Sequence, residues 1–136
     1  IFLENIYGPD ESKDKFIKSM LSKLKNDHVI YLSKGWQKRD FLYLTDAVKG
    51  ITQVILNFKK LQGNLNIILG SGLSVTVREL SRELKKISMS KANLIFDGSK
   101  QEPTRLINRS RYPKLQELID WEPKVSLFQG LSEYEY

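Results

Sequence analysis

A chain of 136 residues, with 40% hydrophobic and 28% charged side chains, can bury one modest core and is too apolar for a disordered chain. No run approaches the roughly 20 apolar residues that cross a bilayer, cysteine is absent, and a single histidine, His28, leaves few ways to build a transition-metal site. The net charge of +6 favours anionic partners, whether nucleic acid, acidic lipid or phosphorylated small molecules, without choosing among them.

The start, Ile1-Phe2-Leu3-Glu4-Asn5, has neither the basic residues nor the long apolar stretch of a signal peptide, so a cytoplasmic location is the expectation. Asn5-Ile6-Tyr7-Gly8-Pro9 reads as a polar corner leading into a helix. Across Ser12 to Leu24, Phe16, Ile17, Met20, Leu21 and Leu24 recur at helical spacing and predict an amphipathic helix. His28 to Leu32 and Asp40 to Leu44 have strand composition, and the turn Ser33-Lys34-Gly35 between them suggests that they pair. Thr45 can cap a helix whose apolar face carries Ala47, Val48, Ile51, Val54, Ile55 and Phe58, and Gly63 ends that region.

Asn64 to Leu69 reads as a buried strand and Gly70-Ser71-Gly72 as a tight turn. Thr76 and Glu79 form a capping box, Val75 and Leu80 a staple, and Val77, Leu80, Leu84 and Ile87 the apolar face of the next helix. Leu94-Ile95-Phe96 is a short strand, Asp97 to Pro103 a polar loop, and Leu115 to Ile119 a helical turn closed by Trp121 and Pro123. No strand-helix-strand series is long enough for a complete doubly wound nucleotide-binding domain, so one small mixed α+β domain is expected over residues 1–136.

The chemistry-bearing residues narrow the field. Gly70-Ser71-Gly72 begins like a dinucleotide fingerprint, but Val75 stands where the third glycine allows close helix-strand packing, so a structural turn is the better reading. His28 has no triad around it, and the paired acids Asp10-Glu11 and Glu133 with Glu135 sit where carboxylates are usually solvated. No catalytic and no metal-binding residue is therefore assigned. In Gly35-Trp36-Gln37-Lys38-Arg39-Asp40-Phe41 a turn and two cations precede an apolar strand. Arg39 has the planar fork that grips phosphate, and Asp40 could hold that arginine or cap neighbouring backbone.

Four ordered segments carry a resemblance that covers nearly the whole chain. Asn5-x-Tyr7-Gly8-Pro9, Gly35-x-Gln37-Lys38-Arg39-Asp40-Phe41-x-Tyr43-x-x-Asp46, the Gly70-Ser71-Gly72 turn after Asn66, and Trp121-x-Pro123-Lys124-x-Ser126-Leu127-x-x-Gly130-Leu131 stand in this order. Together they resemble the C-terminal half of an extended short-chain dehydrogenase/reductase of the nucleotide-sugar epimerase/dehydratase family. Asp120 replaces the glycine that usually precedes the tryptophan, and the asparagine turn carries one additional residue. The resemblance implies that Asn5 contacts a sugar-linked diphosphate, that Lys15 and Phe16 line the nucleotide site, and that Arg39 holds a phosphate. It also implies a second phosphate-binding arginine, Arg105, in the loop after Phe96.

The family's reaction passes a hydride between a nicotinamide and the sugar and uses a Tyr-x-x-x-Lys pair. Here Tyr7, Tyr31, Tyr43 and Tyr112 are followed at that distance by Glu11, Gly35, Ala47 and Gln116, and no N-terminal glycine fingerprint is present. The expectation is therefore a nucleotide-sugar-binding portion that lacks its N-terminal Rossmann domain, is inactive alone and binds no cofactor alone. NAD or NADP would be held by the parent enzyme. Neither membrane nor nucleic acid is an expected partner. A non-catalytic basic module for anions or nucleic acid is the competing reading, and an interaction domain missing its partner would self-associate.

Overall fold

The computed structural model describes residues 1–61, 63, 66–98 and 111–136. Its elements are β1 (Phe2–Leu3), β2 (Asn5–Tyr7), α1 (Phe16–Asn26), β3 (Val29–Leu32), β4 (Lys38–Tyr43), α2 (Leu44–Leu56), β5 (Ile68–Leu69), β6 (Ser74–Thr76), α3 (Val77–Ile87), β7 (Asn93–Phe96), α4 (Leu115–Leu118) and α5 (Leu127–Ser132). Helices and short strands alternate throughout, which is the small mixed α+β domain the pattern predicts. Among the described residues no helix is long and apolar enough to cross a membrane.

Strand β4 is the centre of the arrangement. It pairs in parallel with β2, in the register Asn5↔Phe41 and Tyr7↔Tyr43, and antiparallel with β6, in the register Arg39↔Val75. Because successive strand residues point to opposite faces, β4 divides the core in two. Phe41 belongs to a cluster with Tyr7, Ile17, Met20, Leu24, Leu80, Leu84 and Leu131, where α1 and α3 pack. Leu42 belongs to a second cluster with Ala47, Ile67, Leu69 and Leu115.

The two strand-like runs on either side of Gly35 do not pair with each other. β3 runs parallel to β7, with Leu32 opposite Phe96, while β4 lies between β2 and β6. The reason lies in the linking turn, whose carbonyls are taken by another element: Arg78 N–H donates to Gly35 O at 3.0 Å and Val77 N–H to Gln37 O at 3.1 Å. A hairpin would need such groups for its own ladder.

Helix α2 starts at Leu44 with Tyr43 as its N-cap, ahead of Thr45. Its buried face is Asp46, Ala47 and Gly50, whereas Val48, Ile55 and Phe58, expected in the core, are exposed. Its apolar residues cover much of the helix circumference, and close approach selects among them. A Cβ on Gly50 would lie 3.0 Å from Trp121 Cζ2, so the helix seats its smallest residues on the core. The start of α3 matches its sequence signature: Glu79 N–H donates to Thr76 Oγ1 at 3.1 Å, and the Glu79 carboxylate accepts from Thr76 N–H at 2.8 Å. The bonds that its carboxylate accepts from the Thr76 N–H and from the Thr76 hydroxyl, each at 2.8 Å, hold the Glu79 pKa below its usual value. Of the run from Asn64, the described strand is Ile68–Leu69, joined in parallel to β1. The corner at Asn5 is itself strand up to Tyr7.

Candidate functional site

The register of β2, β4 and β6 places Asn5, Tyr7, Arg39, Phe41, Tyr43 and Val75 on one face of the sheet. On that face a cavity of about 350 Å³ opens between β2 and the start of α1, lined among others by Asn5, Glu11, Lys15, Phe16 and Phe41. Three of the five residues singled out in the sequence, Asn5, Lys15 and Phe16, thus line one space. Arg39 does not line it, but stands two residues along β4 from Phe41, a rise of about 7 Å on the same face. Arg105 lies outside the described residues.

Each of these side chains is positioned by its element. Asn5 is exposed, and its Nδ2 donates to Asp40 O at 2.9 Å, fixing the amide across the β2–β4 pair. An amide nitrogen carries two hydrogens, so a donor remains. Lys15 is the extended N-cap of α1, held by its N–H on Ser12 O at 3.0 Å, and is exposed. Phe16 begins the helix and packs against the first cluster. Arg39 is half-buried and donates through Nη1 to Lys38 O at 3.0 Å; among the described residues it has no ion-pair partner.

Glu11 brings a carboxylate into the same cavity. Its Oε1 accepts from Tyr134 Oη at 3.0 Å and from Lys18 N–H at 3.3 Å, and Tyr134 Oη accepts in turn from Gly8 N–H at 3.0 Å. Burial raises the Glu11 pKa, against the lowering effect of those bonds and of Lys15 and Lys18. The C-terminal tail therefore locks the Gly8-Pro9 corner from behind.

The two motif carboxylates are tethers. Asp40 points to the face opposite Arg39 and accepts from Ser71 N–H and Gly72 N–H, each at 2.8 Å, and from Ser71 Oγ at 2.7 Å. Of the two roles open to it in the sequence, it takes the capping of neighbouring backbone. Gly72, at φ +83°, supplies the left-handed residue that the turn needs. With those amides engaged and Val75 in strand β6, Gly70-Ser71-Gly72 does not form the pyrophosphate cradle of a dinucleotide site. Asp46 is buried and accepts from Lys124 N–H at 2.8 Å and Val125 N–H at 2.7 Å, anchoring the closing motif to the start of α2.

Acid–base chemistry by a tyrosine near neutral pH needs a lowered pKa. The phenols of Tyr7, Tyr43, Tyr134 and Tyr136 are all pushed the other way, chiefly by burial. Tyr7 Oη donates to Ser126 O and Leu127 O at 3.3 Å, and Gly130 packs on its ring. These tyrosines build the scaffold behind the cavity.

Sequence reasoning missed one cluster altogether. The Arg78 guanidinium lies 4.2 Å from the centroid of Trp36 and 4.4 Å from that of Phe96, so it sits between two rings. The three residues come from a loop, a helix and a strand far apart in the chain, and no local spacing signals their meeting.

The model of the NAD dependent epimerase/dehydratase family matches residues 1–70. The chain is 30% identical over 138 residues to human dTDP-D-glucose 4,6-dehydratase, covering 95% of this chain and 38% of that protein. It is 24% identical over 134 residues to the CDP-abequose synthase of Salmonella typhimurium, covering 96% and 45%. Its fold superposes on the UDP-glucose 4-epimerase of Thermotoga maritima, determined with UDP-glucose, with a TM-score of 0.73 at 22% identity over 96% of this chain and 42% of that one. The chain thus spans less than half the length of these relatives.

Proposed function

The chain belongs to the NAD dependent epimerase/dehydratase family, and we propose that within it residues 1–136 form the nucleotide-sugar-binding part of an NAD(P)-dependent epimerase, dehydratase or reductase. The observation that carries this reading is the cavity where Asn5, Lys15 and Phe16 meet, beside a half-buried Arg39 on the same sheet face. An amide donor and a guanidinium fork suit diphosphate oxygens, a lysine supplies charge, and a ring edge suits the apolar part of a nucleotide. Asn5 and Arg39 hold the diphosphate in this reading, Lys15 and Phe16 flank the nucleotide, and Arg105 is a second phosphate contact.

The nicotinamide cofactor supplies hydride chemistry in the family, and the residues of this chain do not fit it. Its Gly70-Ser71-Gly72 turn is engaged by Asp40, its sequence has no Tyr-x-x-x-Lys pair, and its buried tyrosines hold their protons tightly. The reading therefore assigns the cofactor and the acid–base pair to a further region of the protein. The exposed Leu44, Val48 and Ile55 of α2 support a partner region that covers them. The polypeptide alone is inactive in this reading, cytoplasmic, and in the parent enzyme serves the making of sugars for bacterial surface polysaccharides.

Calorimetric titration with UDP-, CDP-, GDP- and dTDP-sugars, against a DNA duplex as control, tests the binding. Saturable binding of one nucleotide sugar is expected. DNA binding that falls steeply with salt, with no preference for any nucleotide sugar, would instead identify a general anion-binding module. Epimerisation or hydride transfer by the 136-residue polypeptide would overturn the claim that it is inactive alone.

A further inference from the structure

Three residues before Arg39, the chain exposes a tryptophan that the binding reading does not use. Trp36 is 61% exposed, yet it is not a loose surface ring. Arg78 backs one side of it at 4.2 Å and is itself backed by Phe96, with Arg82 a further 5.8 Å from the Phe96 centroid. Arg78 is fixed in turn, because its Nε donates to Lys34 O at 3.0 Å and its backbone N–H donates to Gly35 O. Gly35 makes this approach possible. It sits at φ +71°, and a Cβ there would lie 3.1 Å from Arg78 N. Trp36 is thus an aromatic ring already ordered from behind, with much of its surface open to solvent.

An ordered ring loses little freedom when a second flat group stacks on it, and a cation on its rear favours planar, electron-rich partners on the front. Every nucleobase offers such a face. The charges nearby suit the rest of a nucleotide. Lys34 and Lys38 flank Trp36 in sequence, and Arg39 is at most about 11 Å further along the chain. That is within the reach of one extended nucleotide whose phosphates lie on the arginine.

We propose that the open face of Trp36 is the stacking platform for the base of a nucleoside diphosphate whose phosphates lie on Arg39. This rests on the reading of Arg39 as a phosphate grip and adds the residue that recognises the base. Arg78 is a positioning residue for the ring. Stacking tolerates any base, so Trp36 contributes affinity for nucleotides over inorganic anions rather than choice among bases.

The experiment compares UDP, GDP and inorganic pyrophosphate on the full-length protein and on Trp36→Ala and Trp36→Phe. UDP and GDP should quench tryptophan fluorescence, and Trp36→Ala should weaken both by about five- to hundredfold while leaving pyrophosphate binding unchanged. Trp36→Phe should retain most of the affinity and lose the quenching, which shows that a ring and not a folding defect is at issue. Equal weakening of UDP and pyrophosphate by Trp36→Ala, or no weakening of either, overturns the proposal while leaving the phosphate site standing. If neither UDP nor pyrophosphate binds the unaltered protein, the parent reading falls and this one with it.

Discussion

Asp46 offers the sharpest energetic test of how the closing motif is held. It is 1% exposed, and one carboxylate oxygen, Oδ2, accepts both the Lys124 and the Val125 amide, at 2.8 and 2.7 Å. Hydrogen bonds to a charged group contribute about 1.5–3 kcal/mol each, so the pair sets a ceiling of about 3–6 kcal/mol. Truncating the side chain to its Cβ methyl also relieves the cost of burying the carboxylate's charge, so Asp46→Ala should destabilise by about 2–4 kcal/mol. Asp46→Asn is the informative partner. Its amide oxygen can still accept from both N–H groups, but neutral bonds are roughly half as strong as charge-assisted ones, giving about 1–2 kcal/mol. Urea denaturation followed by circular dichroism ranks the two variants. Hydrogen exchange should in addition show faster opening from Lys124 through α5, the segment that Asp46 tethers. An Asn variant as damaged as the Ala variant, or two variants as stable as the original, would refute the assignment of Oδ2 as the shared acceptor.

In the proposed site, Arg39→Ala should weaken nucleotide-sugar binding by about 1.5–3 kcal/mol, the scale of a charge-assisted hydrogen bond, and an unchanged calorimetric affinity would remove Arg39 from it. Gly130→Ala should destabilise by up to about 2 kcal/mol: the helix gains about 1 kcal/mol from alanine, but the new Cβ would lie 2.7 Å from Tyr7 Cζ and Tyr43 Cδ2, and overpacking costs about 1–3 kcal/mol with Tyr7 held by two carbonyls. A variant stabilised in chemical denaturation would show that the tyrosines yield freely. Burial raises the Glu11 pKa above its unfolded value, so the folded state binds the proton more tightly, and stability should fall as pH rises from the unfolded value through the raised one. Glu11→Gln removes that dependence, and stability curves for the two proteins that run parallel from pH 4 to 7 would contradict it.

What the sequence made legible was local. The capping box at Thr76 and Glu79, the amphipathic helix expected across Ser12 to Leu24 and the apolar stripe of α3 depend on residues three or four apart, and all three form, the first helix running from Phe16 to Asn26 rather than from Ser12. The partners of β3 and β4 were not legible, because parallel pairing joins segments with no shared turn: β3 finds its partner more than 60 residues away in β7. The buried face of α2 was misread for a related reason. Hydrophobicity marked Val48, Ile55 and Phe58, while contact distance at Gly50 determined the face. Asn5, Lys15 and Phe16 could be named from motif order, but their shared cavity depends on β2 lying beside β4, which neither segment states by itself.

The alternation of β4 explains why one short signature serves two purposes. Arg39, Phe41 and Tyr43 face the cluster and cavity formed with α1, whereas Asp40 and Leu42 face the glycine turn and the second cluster. A one-residue slip would exchange the two sets, placing a carboxylate where the phosphate reading needs a cation and leaving the Ser71 and Gly72 amides without their acceptor. Two contacts oppose such a slip from opposite sides of the strand. Asn5 Nδ2 holds the Asp40 carbonyl, and the Asp40 side chain holds the turn. Asn5 thus fixes the strand that presents Arg39, besides offering its own amide to the cavity. Replacing Asn5 should therefore loosen Arg39 together with the Gly70-Ser71-Gly72 turn, whereas replacing Arg39 should leave that turn as it is.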